Sequence, residues 1–309
     1  MSYILSEITV GIGPTIEVGP FTLAWHGLTI AAGIAMGTLV GGRDARRRGL
    51  DRDPAYVMAG IVALAALVGG RLFYLAEHGK LDEPGRWLAA SGFTFYGGVI
   101  AATIALPVYL RTQRLSPRYL DAAAVGLPLG VAVGRVGDII NGEHYGEATD
   151  FFLGVRNPHP DALVPSPDIA YHSGGLYESL LGLAIFVLAW PLRKRLDRPL
   201  AMVWLVLGLF GLGRFFVFFA RSDDELALGL STGQWASLAL VAIAIAGASL
   251  RRRAETTEPP PHAGAKRARR THSDPIDEPK LGTQSEARHA RAPKAIPACP
   301  GRMSREIRL

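Results

Sequence analysis

Seven apolar stretches, near residues 20–42, 54–77, 92–110, 119–141, 175–192, 199–220 and 231–250, constrain this chain more than any other feature. Each approaches the roughly 20 residues that an α-helix needs to cross a hydrocarbon core of about 30 Å. A soluble enzyme of this size would use shorter core helices, each with a polar outer face. The expected fold is therefore all-α: a polytopic integral membrane protein with seven transmembrane helices.

Basic residues orient the spans. Arg43, Arg46, Arg47, Arg48 and Arg52 follow the first span. Arg111, Arg114 and Arg118 follow the third, and Arg193, Lys194, Arg195 and Arg198 the fifth. The alternate connections are poorer: Lys80 and Arg86, then Arg156, then Arg221 among Asp223, Asp224 and Glu225. All the basic loops fall on one side, which puts the N-terminus outside and the C-terminus in the cytoplasm.

Residues 1–19 carry Glu7 and Glu17 and no basic start, unlike a cleavable signal peptide. They read as an extracytoplasmic segment, and the first span as an uncleaved anchor. Residues 20–250 form the transmembrane domain. Residues 251–309, with Pro259, Pro260, Pro261 and the run KRARR at 266–270, offer little to bury and are expected to be a disordered basic cytoplasmic tail. Each Lys or Arg close to an anionic inner leaflet would add about 1 kcal/mol of attraction. The basic balance thus needs no nucleic-acid partner. Cys299 is the sole cysteine, which leaves no disulfide and no thiolate metal site.

Function is to be sought where polar groups interrupt the spans. The segment GRVGDIINGEHYG, residues 134–146, ends the fourth span with Arg135, Asp138, Asn141, Glu143 and His144. An ionised side chain at mid-helix costs about 2.5–3.5 kcal/mol on insertion scales, so such groups must pair, face a polar cavity or hold a ligand. Others are His26 in the first span, Arg71 in the second, Tyr96 at the head of the third, Tyr177 and Glu178 opening the fifth, and Arg214 among phenylalanines in the sixth. Given the orientation, most share one depth in the outer half of the bilayer.

Each has a plainer reading. Arg71 could snorkel to headgroups, His26 and Tyr96 could be interfacial residues, and Glu178 could cap its helix. Gly97, Gly98, Gly134 and Gly137 could simply let helices approach. Convergence at one depth favours a shared chamber. Two arginines there suit a phosphate, which a guanidinium fork binds in bidentate fashion, and a phospholipid headgroup is the phosphate at hand. His159 and His172 are too far apart in sequence, with too few companion ligands, to argue a metal site.

At this point the chain resembles the bacterial prolipoprotein diacylglyceryl transferases. GRVGDIINGEHYG is similar to a family signature of the form GRxGNFINGExxG. Supporting matches are Trp25-His26-Gly27, GGR at 69–71, FYGG at 95–98, HSGGLYES at 172–179 and the aromatic stretch around Arg214, with Arg221 following. The resemblance implies an inner-membrane enzyme without metal or organic cofactor. It would move the diacylglyceryl group of phosphatidylglycerol to the lipobox cysteine of a prolipoprotein signal peptide, forming a thioether and releasing glycerol phosphate. Both substrates would arrive laterally from the lipid bilayer. It also implies phosphate binding by Arg135 and Arg214, with Arg71, Asp138, Asn141, Glu143, Gly146, Tyr177, Glu178 and Arg221 shaping the substrate site.

The chain departs from the family pattern at several positions. Tyr96 stands where the family has a histidine, a candidate base, and His26 where it has a tyrosine. Asp138 replaces the signature's first asparagine, Phe218 a glutamate and Phe210 a tyrosine. The first two changes read as an exchange across a shared site, with His26 doing acid–base work and Tyr96 supplying a hydroxyl. Two other functions stay open: a catalytically silent lipid- or lipoprotein-binding relative, and a small-anion transporter built on Arg71, Arg135 and Arg214. The Pro-rich segment 147–174 could gate the cavity or merely connect two spans.

Overall fold

The computed structural model describes residues 7–87 and 92–257. The expected tail beyond residue 257, with Cys299, lies outside the described residues. A helix occupies each apolar stretch: α1 (Trp25–Arg47), α2 (Asp53–Glu77), α3 (Phe95–Thr112), α4 (Arg118–Gly134) continued by short α5 (Val136–Asn141), α6 (Gly174–Leu192), α7 (Ala201–Val217) and α8 (Thr232–Thr257). Five spans, Asp53–Glu77, Arg118–Asn141, Gly174–Leu192, Ala201–Ala220 and Thr232–Arg251, are long and apolar enough to cross a membrane. Two helices fall short of that standard. The apolar part of α3 is the shorter Gly97–Thr112, and glycines with Trp25 and His26 dilute the apolar content of α1.

Outward faces are apolar, as a lipid solvent requires. Leu64, Ile104, Val187, Leu212, Phe216 and Ile245 are all more than half exposed. Inside, small residues bring the backbones together. α1 makes its most extensive contact with α4, where Gly33 and Gly37 face the carbonyls of Gly130 and Gly126 so closely that a Cβ would meet them. α6 and α7 close over this pair through Val125, Ile185, Ala189, Met202 and Val206. The buried Asp121 carboxylate of α4 accepts from the backbone N–H groups of Leu200, Met202 and Val203, so it satisfies the start of α7.

Between α5 and α6 the chain forms no helix, and its content is a small sheet. Strands Ile8–Thr9, Val155–Arg156, Tyr171–Ser173 and Tyr145–Ala148 pair in that order. The segment is neither a bare connector nor a detached flap. Asn157, 2% exposed, donates to the carbonyls of Ile139 and Ile140, and the Leu163 N–H donates to the carbonyl of Asn141. These bonds satisfy the open C-terminal turn of α5, which Gly142 ends in the left-handed conformation at φ 71°. A Cβ at Gly142 would press on Val164, so glycine is needed there for space as well as for backbone.

Candidate functional site

The fourth span breaks at Arg135, and the break builds the site. It leaves the carbonyl of Gly134 and the N–H of Gly137 in need of partners. Thr29 of α1 serves both, donating its hydroxyl to Gly134 at 3.0 Å and accepting from Gly137 at 3.1 Å. Gly137 sits so close to the α1 backbone that a Cβ would overlap His26 and Thr29. The first turn of α5 is thereby pressed onto the start of α1. His26 Nδ1 comes to lie 2.8 Å from Asp138 Oδ1, with Glu143 Oε2 at 3.6 Å. The other carboxylate oxygen of Asp138, itself 1% exposed, accepts from Arg135.

Glu178 is the centre of the cluster. It lies in the second turn of α6, and the helix is capped instead by Ser173, whose hydroxyl accepts from the Leu176 N–H at 3.2 Å. The cap reading of Glu178 is therefore corrected. Its carboxylate, fully buried, meets three guanidinium groups: Arg135 at 2.8 Å, Arg214 at 3.3 Å and Arg221 at 3.7 Å. The expected convergence of Arg135 and Arg214 is thus realised through one carboxylate between them. Phe218 fills the space below, its ring 5.0 Å from the Arg214 guanidinium and 4.6 Å from that of Arg221. The ring face thus lies against both guanidiniums at cation–π distance.

Around this centre, Asn141 donates to Glu143 at 3.0 Å. Arg221 also pairs with Asp223 at 2.7 Å and donates to His144 Nδ1 at 3.1 Å. His144, part of the motif but given no role in the sequence reading, thus links Arg221 to Asp138, 3.9 Å from its Nε2. Burial, followed by the neighbouring Arg221, holds the His144 imidazole below the usual histidine range. Tyr177 bonds His172 Nδ1 at 2.6 Å, a pairing the sequence analysis did not foresee. Gly146 lies against the carbonyl of Ala220, where a Cβ would not fit, so its visible work is close packing. A cleft of about 550 Å³ opens beside Arg221, His172, Phe216 and Phe219.

Arg71 lies elsewhere in contact terms. It donates to the carbonyls of Arg86 and Gly92 and stacks near Tyr74 and Phe93, fastening the connection between α2 and α3. Tyr96 begins α3, but its side chain lies outside the described residues, so the exchange with His26 has no geometry here. His26, Asp138 and Glu143 bring one donor atom each within 4.8 Å of one another, a grouping that could hold a metal ion. Asp138 is already shared between Arg135 and His26, which makes it a poor vacancy for a cation.

Apolar helices that seal a carboxylate–guanidinium cluster beside a histidine define a polytopic membrane protein built around a buried ionic cluster. Sequence comparison narrows that class. A family model described as prolipoprotein diacylglyceryl transferase matches residues 14–250. The phosphatidylglycerol–prolipoprotein diacylglyceryl transferase of Nitrosomonas europaea is 34% identical over 252 residues, covering 75% of this chain and 86% of the relative. That of Thermosynechococcus vestitus is 31% identical over 240 residues, covering 75% and 89%. That of Methylobacillus flagellatus is 33% identical over 245 residues, covering 73% and 91%. The chain belongs to the prolipoprotein diacylglyceryl transferase family.

Proposed function

We propose that the protein transfers the diacylglyceryl group of phosphatidylglycerol to the lipobox cysteine of a prolipoprotein, working in the bacterial inner membrane. In this reading all seven long helices span the bilayer, with the N-terminus outside and the C-terminus in the cytoplasm. α1 needs less apolar outer surface than its neighbours because its glycine-lined face is spent on α4. Both substrates reach the site sideways from the lipid, and the cleft beside Arg221 is a suitable mouth.

One observation carries the proposal: Arg135 and Arg214, from different spans, are held by the same buried Glu178. A guanidinium carries five N–H donors, so a carboxylate at one edge orients it while other edges can serve a phosphate. Electrostatic stabilisation of this kind needs no reorganisation as the leaving group gains charge. The thiol sulfur attacks the glyceryl carbon that bears the phosphate oxygen. The C–O bond breaks with its electrons passing to phosphate, a C–S thioether forms, and glycerol phosphate departs. The thiol proton must go to a base, because a free thiol with a pKa of about 8.5 is mostly protonated at neutral pH. His26, within reach of the cluster, takes that role.

The test uses the full chain in phosphatidylglycerol vesicles with a lipobox peptide, read by mass spectrometry. The wild type adds one diacylglyceryl group at the cysteine, and Arg214→Gln slows this at least about 100-fold, the usual loss for removing a donor to a developing oxyanion. Lipid binding without any mass gain would overturn the enzymatic reading in favour of a silent relative.

A further inference from the structure

His26 of α1 and Asp138 of α5 touch. They lie 112 positions apart by their numbers (138 − 26), and the Arg135 break brings them together. Nδ1 of His26 and Oδ1 of Asp138 lie 2.8 Å apart, both sealed from solvent and neither in an aligned hydrogen bond, so the contact is one of proximity and charge. Water cannot reach either atom, which leaves this pairing as the way to satisfy both. A carboxylate only accepts, so bringing the pair into line requires the histidine's hydrogen on Nδ1.

The His26 side chain is nevertheless 38% exposed. With Nδ1 sealed, the accessible part of the ring lies on the side of Nε2. That is the arrangement a proton acceptor needs: one nitrogen fixed by a buried carboxylate, the other presented to the reactant. The second oxygen of Asp138 is engaged too, by Arg135. One carboxylate therefore spans the histidine and a guanidinium of the anion cluster. The neighbouring titratable groups are Glu143, 3.6 Å from Nδ1, and His144, 3.9 Å from Asp138.

We infer that Asp138 is a positioning residue that fixes His26 as the base of the transfer and ties its placement to the phosphate-binding Arg135. This rests on the proposed reaction and goes beyond it, since it assigns the work of orienting the base to a second residue. In the step itself, the thiol proton passes to Nε2 as the C–S bond forms and the C–O bond breaks. Asp138 keeps its charge and faces the imidazolium so produced. The proton then leaves Nε2 for the departing phosphate or for water, restoring the neutral ring.

The experiment uses the full chain in phosphatidylglycerol-containing nanodiscs with a lipobox peptide. Asp138→Asn, nearly isosteric, lowers kcat by about 10²–10⁴-fold, the range of general base catalysis, with KM for peptide and lipid little changed. His26→Ala falls as far, and the double variant falls no further, because the two act as a unit. Asp138→Glu recovers part of the rate. Independently of turnover, ¹⁵N NMR of histidine-labelled wild type shows His26 with its hydrogen on Nδ1, and Asp138→Asn loses that fixed tautomer. Unchanged kcat in Asp138→Asn, a rise in KM alone, or multiplicative losses in the double variant would overturn the assignment. Wild type that shows no transfer would sink the proposed reaction, and the NMR tautomer would then decide the hold of Asp138 on His26 by itself.

Discussion

Asp44 and Glu178 are both sealed carboxylates surrounded by three guanidinium groups, but they gather them differently. Asp44, near the end of α1, takes Arg47 and Arg48 from the next helical turn at 2.6 Å each and Arg193 from the end of α6 at 3.6 Å. Arg47 also donates to the carbonyl of Arg193, so the knot ties the ends of two helices together. Glu178 takes its arginines from the α4–α5 break, from α7 and from the turn after it. A knot of neighbours can form wherever a helix ends among basic residues. Assembling three distant guanidiniums beside His26 and Asp138 needs the whole fold, and the proposed chemistry sits at that end of the molecule. His26 and Asp44 stand at opposite ends of α1, about 27 Å apart at 1.5 Å per residue.

Two substitutions test whether these centres differ as described. Glu178→Gln removes the carboxylate that three guanidiniums share, although Arg135 keeps Asp138 and Arg221 keeps Asp223, and should cost up to about 3–5 kcal/mol, the range for breaking a buried ion pair. Thermal unfolding in detergent should register that loss, and diacylglyceryl transfer should vanish in whatever fraction stays folded. Asp44→Asn should also lower thermal stability, while leaving the transfer rate per folded molecule unchanged. Loss of activity there, with the fold intact, would erase the distinction between the two centres.

The smallest effect sharpens the comparison by pH. His144 is held below the usual histidine range by burial and by Arg221. The folded protein then binds fewer protons than the unfolded chain just below the normal histidine pKa of roughly 6.5. The stability contributed by neutral His144 is therefore full above that value and is lost as the pH falls through it. Melting scans from about pH 7 to pH 5 should show a decline that His144→Asn flattens. That variant tolerates the positive φ of 59° at this position and keeps an acceptor for Arg221. An equal decline in the variant would assign the effect to another group.

Much of this was legible in the sequence, for reasons of period and cost. Long apolar runs announce helices by length alone, and arginines within them demand partners, which is how Arg135 and Arg214 were singled out. The motif at 134–146 also drew attention to Asp138 and Glu143. What the sequence did not disclose is which partners those groups choose. Glu178 kept a helix-cap reading open beside its place in the site, yet Ser173 does the capping and Glu178 meets the arginines. Arg71 shared a depth with the others, but depth says nothing of direction, and its bonds to the carbonyls of Arg86 and Gly92 were not foreseen. The sheet within 145–173 was missed because its strands are only two to four residues long, too short for any alternation to register. His26 was paired with Tyr96 on the strength of two complementary changes; the Tyr96 side chain lies outside the described residues, and what the sequence did not disclose is the contact of His26 with Asp138.

The most direct test of the anion site is an experimental structure of the protein with phosphatidylglycerol bound. The account predicts the lipid phosphate within hydrogen-bonding distance of both Arg135 and Arg214, with Glu178 still between them and the glyceryl carbon turned toward His26. A phosphate seated away from these two side chains would contradict it.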